Sequence, residues 1–351
     1  MMAPTVFDVS HLLGLLPCGP MFDTTATSSI PFSFPNLNFG NSSYTKSLNA
    51  EMKTTGDISD RVFFSYLLYT LCKHILCHGG KKVMIELIPL ALRFLKGDPF
   101  DFASYFLGHV YKVGSECQEK GLMHQSYEGP IWFFQLWLLS YFQEFSTSFP
   151  QQVVIHGDRF ATPSSDPLSF LKCLHFFSII LEERDAHKFY PFSDISIGPA
   201  WLRRIMTTKG DISVSEAWGS FLVSREIHIG VHFKTLNKYH VEVYCPAQLP
   251  RQFGLVQAVP LPFVGTSNNP IHKRLKLGQD NTKHSNLVVG NAKRRFMPQE
   301  FTINPSTTLK FTQWWHNSMA VCNGTLLAKK FLKHINALSP TAPPPPPPPK
   351  K

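Results

Sequence analysis

The chain has 351 residues, 43% hydrophobic, 17% charged and 13% aromatic, a balance that excludes an intrinsically disordered protein and can fill one large core or two ordinary ones. Thirty-four Lys and Arg against 24 Asp and Glu give a formal charge of +10, which favours anionic partners without naming one. Seven widely spread cysteines, Cys18, Cys72, Cys77, Cys117, Cys173, Cys245 and Cys322, are odd in number and mostly set among apolar neighbours, so they read as reduced intracellular thiols and not as a secreted disulfide framework.

The chain opens without a basic n-region and carries Asp8 within its first apolar stretch, unlike a signal peptide. Residues 8–16 place apolar side chains at helical spacing behind Asp8, read as the N-cap, with Pro17 as the stop. Residues 23–50, rich in Ser, Thr, Asn, Pro and Phe without a sustained period, read as a long loop. From Asp57 to Gly79 the stripe Phe64, Leu67, Leu68, Leu71 and Ile75 predicts an amphipathic helix capped by Asp57 and ended by Gly79 and Gly80. A second is expected over 82–96, bent near Pro89. Gly97-Asp98-Pro99 then supplies a stop, a cap and an N1 proline for a third, with Ala103, Leu107, Val110 and Tyr111 on one face.

Gly129-Pro130 starts IWFFQLWLLSYF, apolar on nearly every side and therefore expected as the central buried helix, in which Gln135 must find a hydrogen-bond partner. That stretch, Pro130 to Phe142, is the longest strongly apolar one and is too short to cross a membrane, so a soluble protein is expected. Further helices are expected over 166–183 and 213–223. Glu226 to Phe233 and His240 to Tyr244 alternate with period two around the turn-like LNK segment and predict a small hairpin. Residues 265–300 carry Lys273, Arg274, Lys276, Lys283, Lys293, Arg294 and Arg295 against Asp280 and Glu300 and read as a basic mobile insertion. A last helix is expected over 305–335, followed by a tail, 336–351, in which Pro343 to Pro349 form an uninterrupted polyproline II run. The sum is a mainly α fold, a multi-helix domain over 1–335 with a minor β hairpin.

No catalytic constellation stands out. Cys72, His74, Cys77 and His78 have the density of a zinc site. On a helix, however, Cys72 and His74 lie about 200° apart, so buried thiols with helix-end histidines explain the cluster as well. A pyridoxal phosphate site needs a Schiff-base lysine and a phosphate-cradling turn; the nearest turn, Cys77 to Lys82, ends a helix and lacks the strand before it. No G-x-S-x-G elbow occurs, and His156-Gly157-Asp158 reads as a loop tripeptide. Glu242 stands as the one carboxylate on a convincing strand, too few for a metal-dependent nuclease. No cofactor or metal is therefore expected. The runs His272 to Lys276 and Lys293 to Arg295 read equally as nuclear-import or phosphate-contacting patches and as solvated loop charge. The proline run reads as a ligand for a proline-binding domain or as a low-complexity tail.

Four segments resemble the plant mobile domain family, also called the aminotransferase-like plant mobile domain. TVFDVSHLLGLLPCG (Thr5 to Gly19) is similar to its first short helix and leucine-glycine turn, and GPIWFFQLWLLSYF (Gly129 to Phe142) to its G-P-x-W-x-x-Q-x-W-L helix. VEVYCPAQLPRQFGLVQAVP (Val241 to Pro260) resembles its V-E-x-Y-x-P…R-Q-F-G-x-x-Q hallmark, and FTQWWHNSM (Phe311 to Met319) its closing tryptophan pair. Family domains carry more sequence ahead of the first motif, which here begins almost at Met1. That suggests an N-terminally truncated copy whose first helix lacks packing partners.

The resemblance implies a transposon-related protein, with host members such as meristem-maintenance proteins acting in the nucleus on gene expression and transposon silencing. Some relatives are fused to, or cooperate with, phosphatase-like proteins. The expected function is thus a nuclear interaction or regulatory module without catalysis. The alternatives are a transposon-derived nucleic-acid-binding protein and a cryptic enzyme, pyridoxal-dependent or a nuclease. The aminotransferase of the family's second name is not carried over. Among the motif residues, Trp132, Trp137, Trp314 and Trp315 read as rigid anchors for the core or a partner pocket. Arg251 and Gln252 read as an interaction pair or a lock within the fold.

Overall fold

In a computed structural model of the chain the residues described are 2–22, 46, 57–78, 84, 87–120, 128–142, 212–229, 232–233, 236–237, 240–260 and 304–324. The loop expected over 23–50, the helix over 166–183, the tripeptide at His156, the basic insertion 265–300 and the proline tail lie outside them.

Helix α1 (Val6–Leu13) is started by Thr5, not Asp8. The Thr5-x-x-Asp8 spacing makes a capping box. Thr5 Oγ1 accepts from the Asp8 N–H at 3.1 Å, and the Asp8 carboxylate accepts from the Thr5 N–H at 2.7 Å. Gly14, at φ 70°, closes the helix in the left-handed conformation that glycine adopts without strain. Val6, Phe7 and Val9 are fully buried, so α1 does not lack packing partners.

Helix α2 (Asp60–Thr70) starts at Ser59, whose hydroxyl accepts from the Val62 N–H, leaving Asp57 exposed ahead of it. It continues as a π-helical turn, Leu71–Ile75. Helix α3 (Ile88–Lys96), packed against α2, carries Pro89 in its first turn, where a missing N–H costs nothing, so no bend forms there. Gly97 ends it at φ 69°. The cap of α4 (Phe102–Lys120) is Asp101 and not Asp98: its Oδ1 accepts from the Ser104 N–H at 2.9 Å.

Helix α5 (Trp132–Tyr141) is sided. Phe133, Tyr141 and the following Phe142 are buried, Trp132 and Trp137 are half-buried and Gln135 is exposed. This corrects the expectation of an all-round buried helix: turning Gln135 to water removes its need for an internal partner.

Helix α6 (Ile212–Leu222) leads into β1 (Arg225–Ile229), which pairs antiparallel with β4 (His240–Tyr244), Ile227 opposite Glu242. Between them β2 (His232–Phe233) and β3 (Leu236–Asn237) form a smaller pair, so the first predicted strand is two pieces. Every residue of β1 is buried, and Glu226 and His228 meet at 3.6 Å. Glu242 is therefore not the one strand carboxylate: Glu226 shares the sheet.

The sheet lies on α4, to which α1 also packs. Gly108 makes the closest approach: a Cβ there would stand 2.3 Å from Ile229 Cγ2 and 2.8 Å from Ile227 Cγ2. Phe106 packs edge-on to Phe133, and Phe7 edge-on to Phe221, so α1, α4, α5 and α6 share one aromatic core. Helix α7 (Leu309–Gly324) follows Thr308, whose hydroxyl accepts from the Phe311 N–H at 3.2 Å. The architecture is mainly α with a minor antiparallel hairpin.

Candidate functional site

After β4 the chain makes two short 3-10 turns, Pro246–Gln248 and Pro250–Phe253, each opened by a proline, and Gly254 reverses it at φ 71°. This is the R-Q-F-G-x-x-Q segment, and its geometry shows what each polar side chain touches. Gln252, 1% exposed, treats the N-terminal segment as a neighbouring strand. Its Oε1 accepts from the Ala3 N–H at 3.0 Å, and its Nε2 donates to the Ala3 carbonyl at 2.9 Å and to the Tyr141 hydroxyl at 3.0 Å. Tyr141 in turn donates to Asp8 Oδ1 at 2.6 Å. One buried chain of polar groups thus joins three distant stretches of sequence.

Arg251 donates through Nε to the Pro305 carbonyl at 2.7 Å. Around it the Asn304 N–H donates to Gly254 at 2.8 Å, the Gln257 N–H to Ser306 at 2.9 Å and the Thr308 N–H to Gln257 at 2.9 Å. Gln257 and Thr307 form a parallel bridge. The segment before residue 261 and the one leading into α7 are therefore fastened side by side. The basic residues Lys273, Arg274, Lys276, Lys293, Arg294 and Arg295 fall between them in sequence, outside the described residues.

Asp8 is fully buried and accepts from Tyr141, from the Thr5 amide and, at 2.7 Å, from the Thr5 hydroxyl. Burial lifts its carboxyl to about 6; the hydrogen bonds from Tyr141 and Thr5 oppose the rise but do not cancel it. One turn on, burial holds the His11 imidazole down at about 4, with its Nδ1–H donating to the Phe7 carbonyl at 2.9 Å.

A second polar cluster lies at the start of α4. Arg225 Nη1 donates to the Ser220 carbonyl at 2.6 Å and the Val223 carbonyl at 3.2 Å, while Nη2 donates to Ser104 Oγ at 2.5 Å and stands 3.5 Å from Asp101 Oδ2. Ser104 Oγ donates to Asp101 Oδ2. The guanidinium also lies 5.0 Å above the Tyr244 ring centroid. Burial pushes the Asp101 carboxyl up, with Arg225 pulling the other way.

The four motif tryptophans are half-buried. Trp132 lies 5.8 Å from Phe106 and Trp137 lies 5.3 Å from Tyr141 between ring centroids, so both flank the core. Trp314 and Trp315 form a cluster with Phe311, the last two rings stacked with planes 13° apart. The Cys72 to His78 run is divided between environments: Cys72 is buried, His74 is exposed beside Tyr69, and His78 meets Glu128 at 3.4 Å. Among the described residues no three His, Cys, Asp or Glu side chains are placed to hold a metal ion. Cys18, Cys72, Cys77, Cys117 and Cys245 are thiols.

Sequence reading missed Asp101, Ser104 and Arg225. Asp101-x-x-Ser104 is a legible cap signal, but nothing local marks Arg225 as its partner.

One of the comparisons with known proteins finds a match, to a family. The model of the plant mobile domain matches residues 1–316, most of the chain. The chain belongs to the plant mobile domain family. No curated protein and no solved structure matches it. In this plant mobile domain the matched region extends from α1 into α7, and it includes both buried polar clusters. No described helix is long and apolar enough to cross a membrane.

Proposed function

We propose that this plant mobile domain protein is a nuclear binding module acting in gene expression or transposon silencing, holding a macromolecular partner and carrying out no catalysis. The observation that supports this reading is how the hallmark motif is used. Arg251 Nε donates to the Pro305 carbonyl and Gln252 Nε2 to the Ala3 carbonyl, so both motif residues tie distant stretches of the chain's own backbone together. In this role they lock the fold, with Trp132, Trp137, Trp314 and Trp315 as anchors. The partner is a protein, of the phosphatase-like or chromatin-associated kind that the family suggests, and the tail supplies a separate ligand for a proline-binding domain.

Purification of the tagged protein from plant nuclei, with and without Ser339 to Lys351, tests the reading. Recovery of the same phosphatase-like or chromatin protein with both versions is the expected result. Recovery of tail-dependent proteins alone would overturn it. A bound-cofactor absorbance band, or metal-dependent nuclease activity in the purified protein, would overturn the non-catalytic part.

A second reading, direct contact with nucleic acid, is favoured by where the charge lies. Residues 261–324 hold eight Lys and Arg against Asp280 and Glu300, and so more than half of the net +10 of the chain.

A further inference from the structure

The hydrogen bonds that end on Asp8 all run in one direction. Gln252 Nε2 donates to the Tyr141 hydroxyl at 3.0 Å, and Tyr141 donates to Asp8 Oδ1 at 2.6 Å. Oδ2 accepts from both the amide and the hydroxyl of Thr5, each at 2.7 Å. That arrangement suits an ionised carboxylate, which only accepts. The same Gln252 amide holds the N-terminal segment, taking the Ala3 N–H on Oε1 and donating to the Ala3 carbonyl, while Tyr111 donates to the Pro4 carbonyl at 2.7 Å. The titratable groups around Asp8 are Tyr111 on α4, Tyr141 on α5 and Tyr244 on β4, with His11 on α1 itself kept neutral by burial. Arg225 and Glu242 act on Tyr111; α6 meets α1 through Trp218 and Phe221, and Arg251 donates to Pro305.

We propose that Asp8, Tyr141 and Gln252 form a proton-released clasp on the N-terminal segment, closed on Ala3 while Asp8 is ionised and opened when Asp8 takes up a proton. Oδ1 carries one donor against the two on Oδ2, so it is the oxygen with room for the proton. Protonated there, Asp8 donates to Tyr141, whose oxygen then faces two donors and whose own proton must turn. A half-turn of the Gln252 amide, placing Oε1 where Nε2 stood, accepts that proton. It also sets donor against donor and acceptor against acceptor at Ala3, and the segment is released. Linkage gives the same sign. Burial raises the Asp8 carboxyl and the Tyr141 bond pulls against the rise, so a proton on Asp8 must in turn weaken that bond. The proton also removes a buried charge, so the surrounding fold is kept while the clasp gives way.

The test is proton–nitrogen NMR of the full chain with isotope-labelled alanine and glutamine, titrated from about pH 7.5 to about pH 5. The Ala3 amide and the Gln252 side-chain amide are assigned by substitution. Both signals are expected to move together with a midpoint at about 6, the Ala3 N–H shifting toward the position of an unbonded amide. The amides of Ala103 in α4 and Ala217 in α6 should stay where they are. Asp8→Asn, which cannot ionise, is expected to abolish the transition. Tyr141→Phe cuts the relay and should uncouple Ala3 from pH; it carries the test if Asp8→Asn does not fold. Ala3 and Gln252 signals that stay fixed over this range overturn the proposal. So does a transition that persists in either variant, or one in which Ala103 and Ala217 move with Ala3.

Discussion

The Tyr141 hydroxyl donates a 2.6 Å hydrogen bond to Oδ1 of Asp8, a carboxyl with no solvent exposure, from 133 residues away in sequence. Tyr141 also accepts from Gln252, so one hydroxyl sits between the first helix and the hallmark motif. Tyr141→Phe removes both bonds while leaving the ring in place. It is expected to destabilise the protein by about 1–3 kcal/mol, because a buried carboxyl and a buried amide each lose a partner. Urea unfolding followed by circular dichroism, with an unchanged m value, measures it; a loss within error would show that water replaces the hydroxyl.

Asp8 and His11 give opposite pH dependences on one helix. The folded-state pKa of Asp8 is raised from 3.8 to about 6, so its contribution to stability is fully present below about 3.8 and is lost as pH rises through 6. That of His11 is lowered from 6.5 to about 4, so its contribution is present above 6.5 and is lost as pH falls through 4. The stability of wild type relative to Asp8→Asn should therefore decrease between about pH 4 and 6, by up to a few kcal/mol. Relative to His11→Gln it should increase over a similar range. Parallel denaturation series of the three proteins decide this, and two slopes of the same sign would refute it.

Gly108 is helical, where alanine is normally the better residue by about 1 kcal/mol. Here a Cβ would strike Ile229 and Ile227, so Gly108→Ala should destabilise by about 1–3 kcal/mol. The cause is checked by a double-mutant cycle: Ile229→Ala in the Gly108→Ala background should cost less than Ile229→Ala alone.

Arg225→Lys keeps the charge but not the fork that reaches Ser220, Val223 and Ser104 together. Arg225→Ala leaves Asp101 buried beside an empty place and is expected to cost about 3–5 kcal/mol. Thermal unfolding should rank wild type above Arg225→Lys and Arg225→Lys above Arg225→Ala. Equal melting temperatures for the two variants would show that the fork geometry contributes nothing.

Arg251→Met should loosen the strap to α7 without touching the core. Hydrogen exchange is the direct measurement. The amides of Asn304 and Thr308, which donate to Gly254 and Gln257, should exchange faster, while those of α1 and α4 keep their protection.

Much of the local structure was legible from the chain. The stripe Phe64, Leu68 and Leu71 marked α2, Gly97 marked the end of α3, and the alternation from Glu226 onward marked the hairpin. These features are written in the period of apolar side chains and in the backbone freedom of glycine, both properties of neighbouring residues. Boundaries shifted where two polar residues compete to cap. Thr5 with Asp8, Ser59 over Asp57 and Asp101 over Asp98 were settled by which side chain reached an orphan N–H.

The sequence by itself determined the helical class, the hairpin, the family and the concentration of positive charge ahead of α7. Tertiary structure alone decided that Gln252 reaches Ala3 and Tyr141, that Arg225 reaches Asp101, that Gln135 faces water and that Gly108 must stay bare. The physical reason is range. Periodicity and capping are set within one or two turns of chain, whereas a buried polar side chain takes its partner from whatever surface packing brings within 3 Å, roughly one hydrogen-bond length. No spacing in the sequence records that meeting.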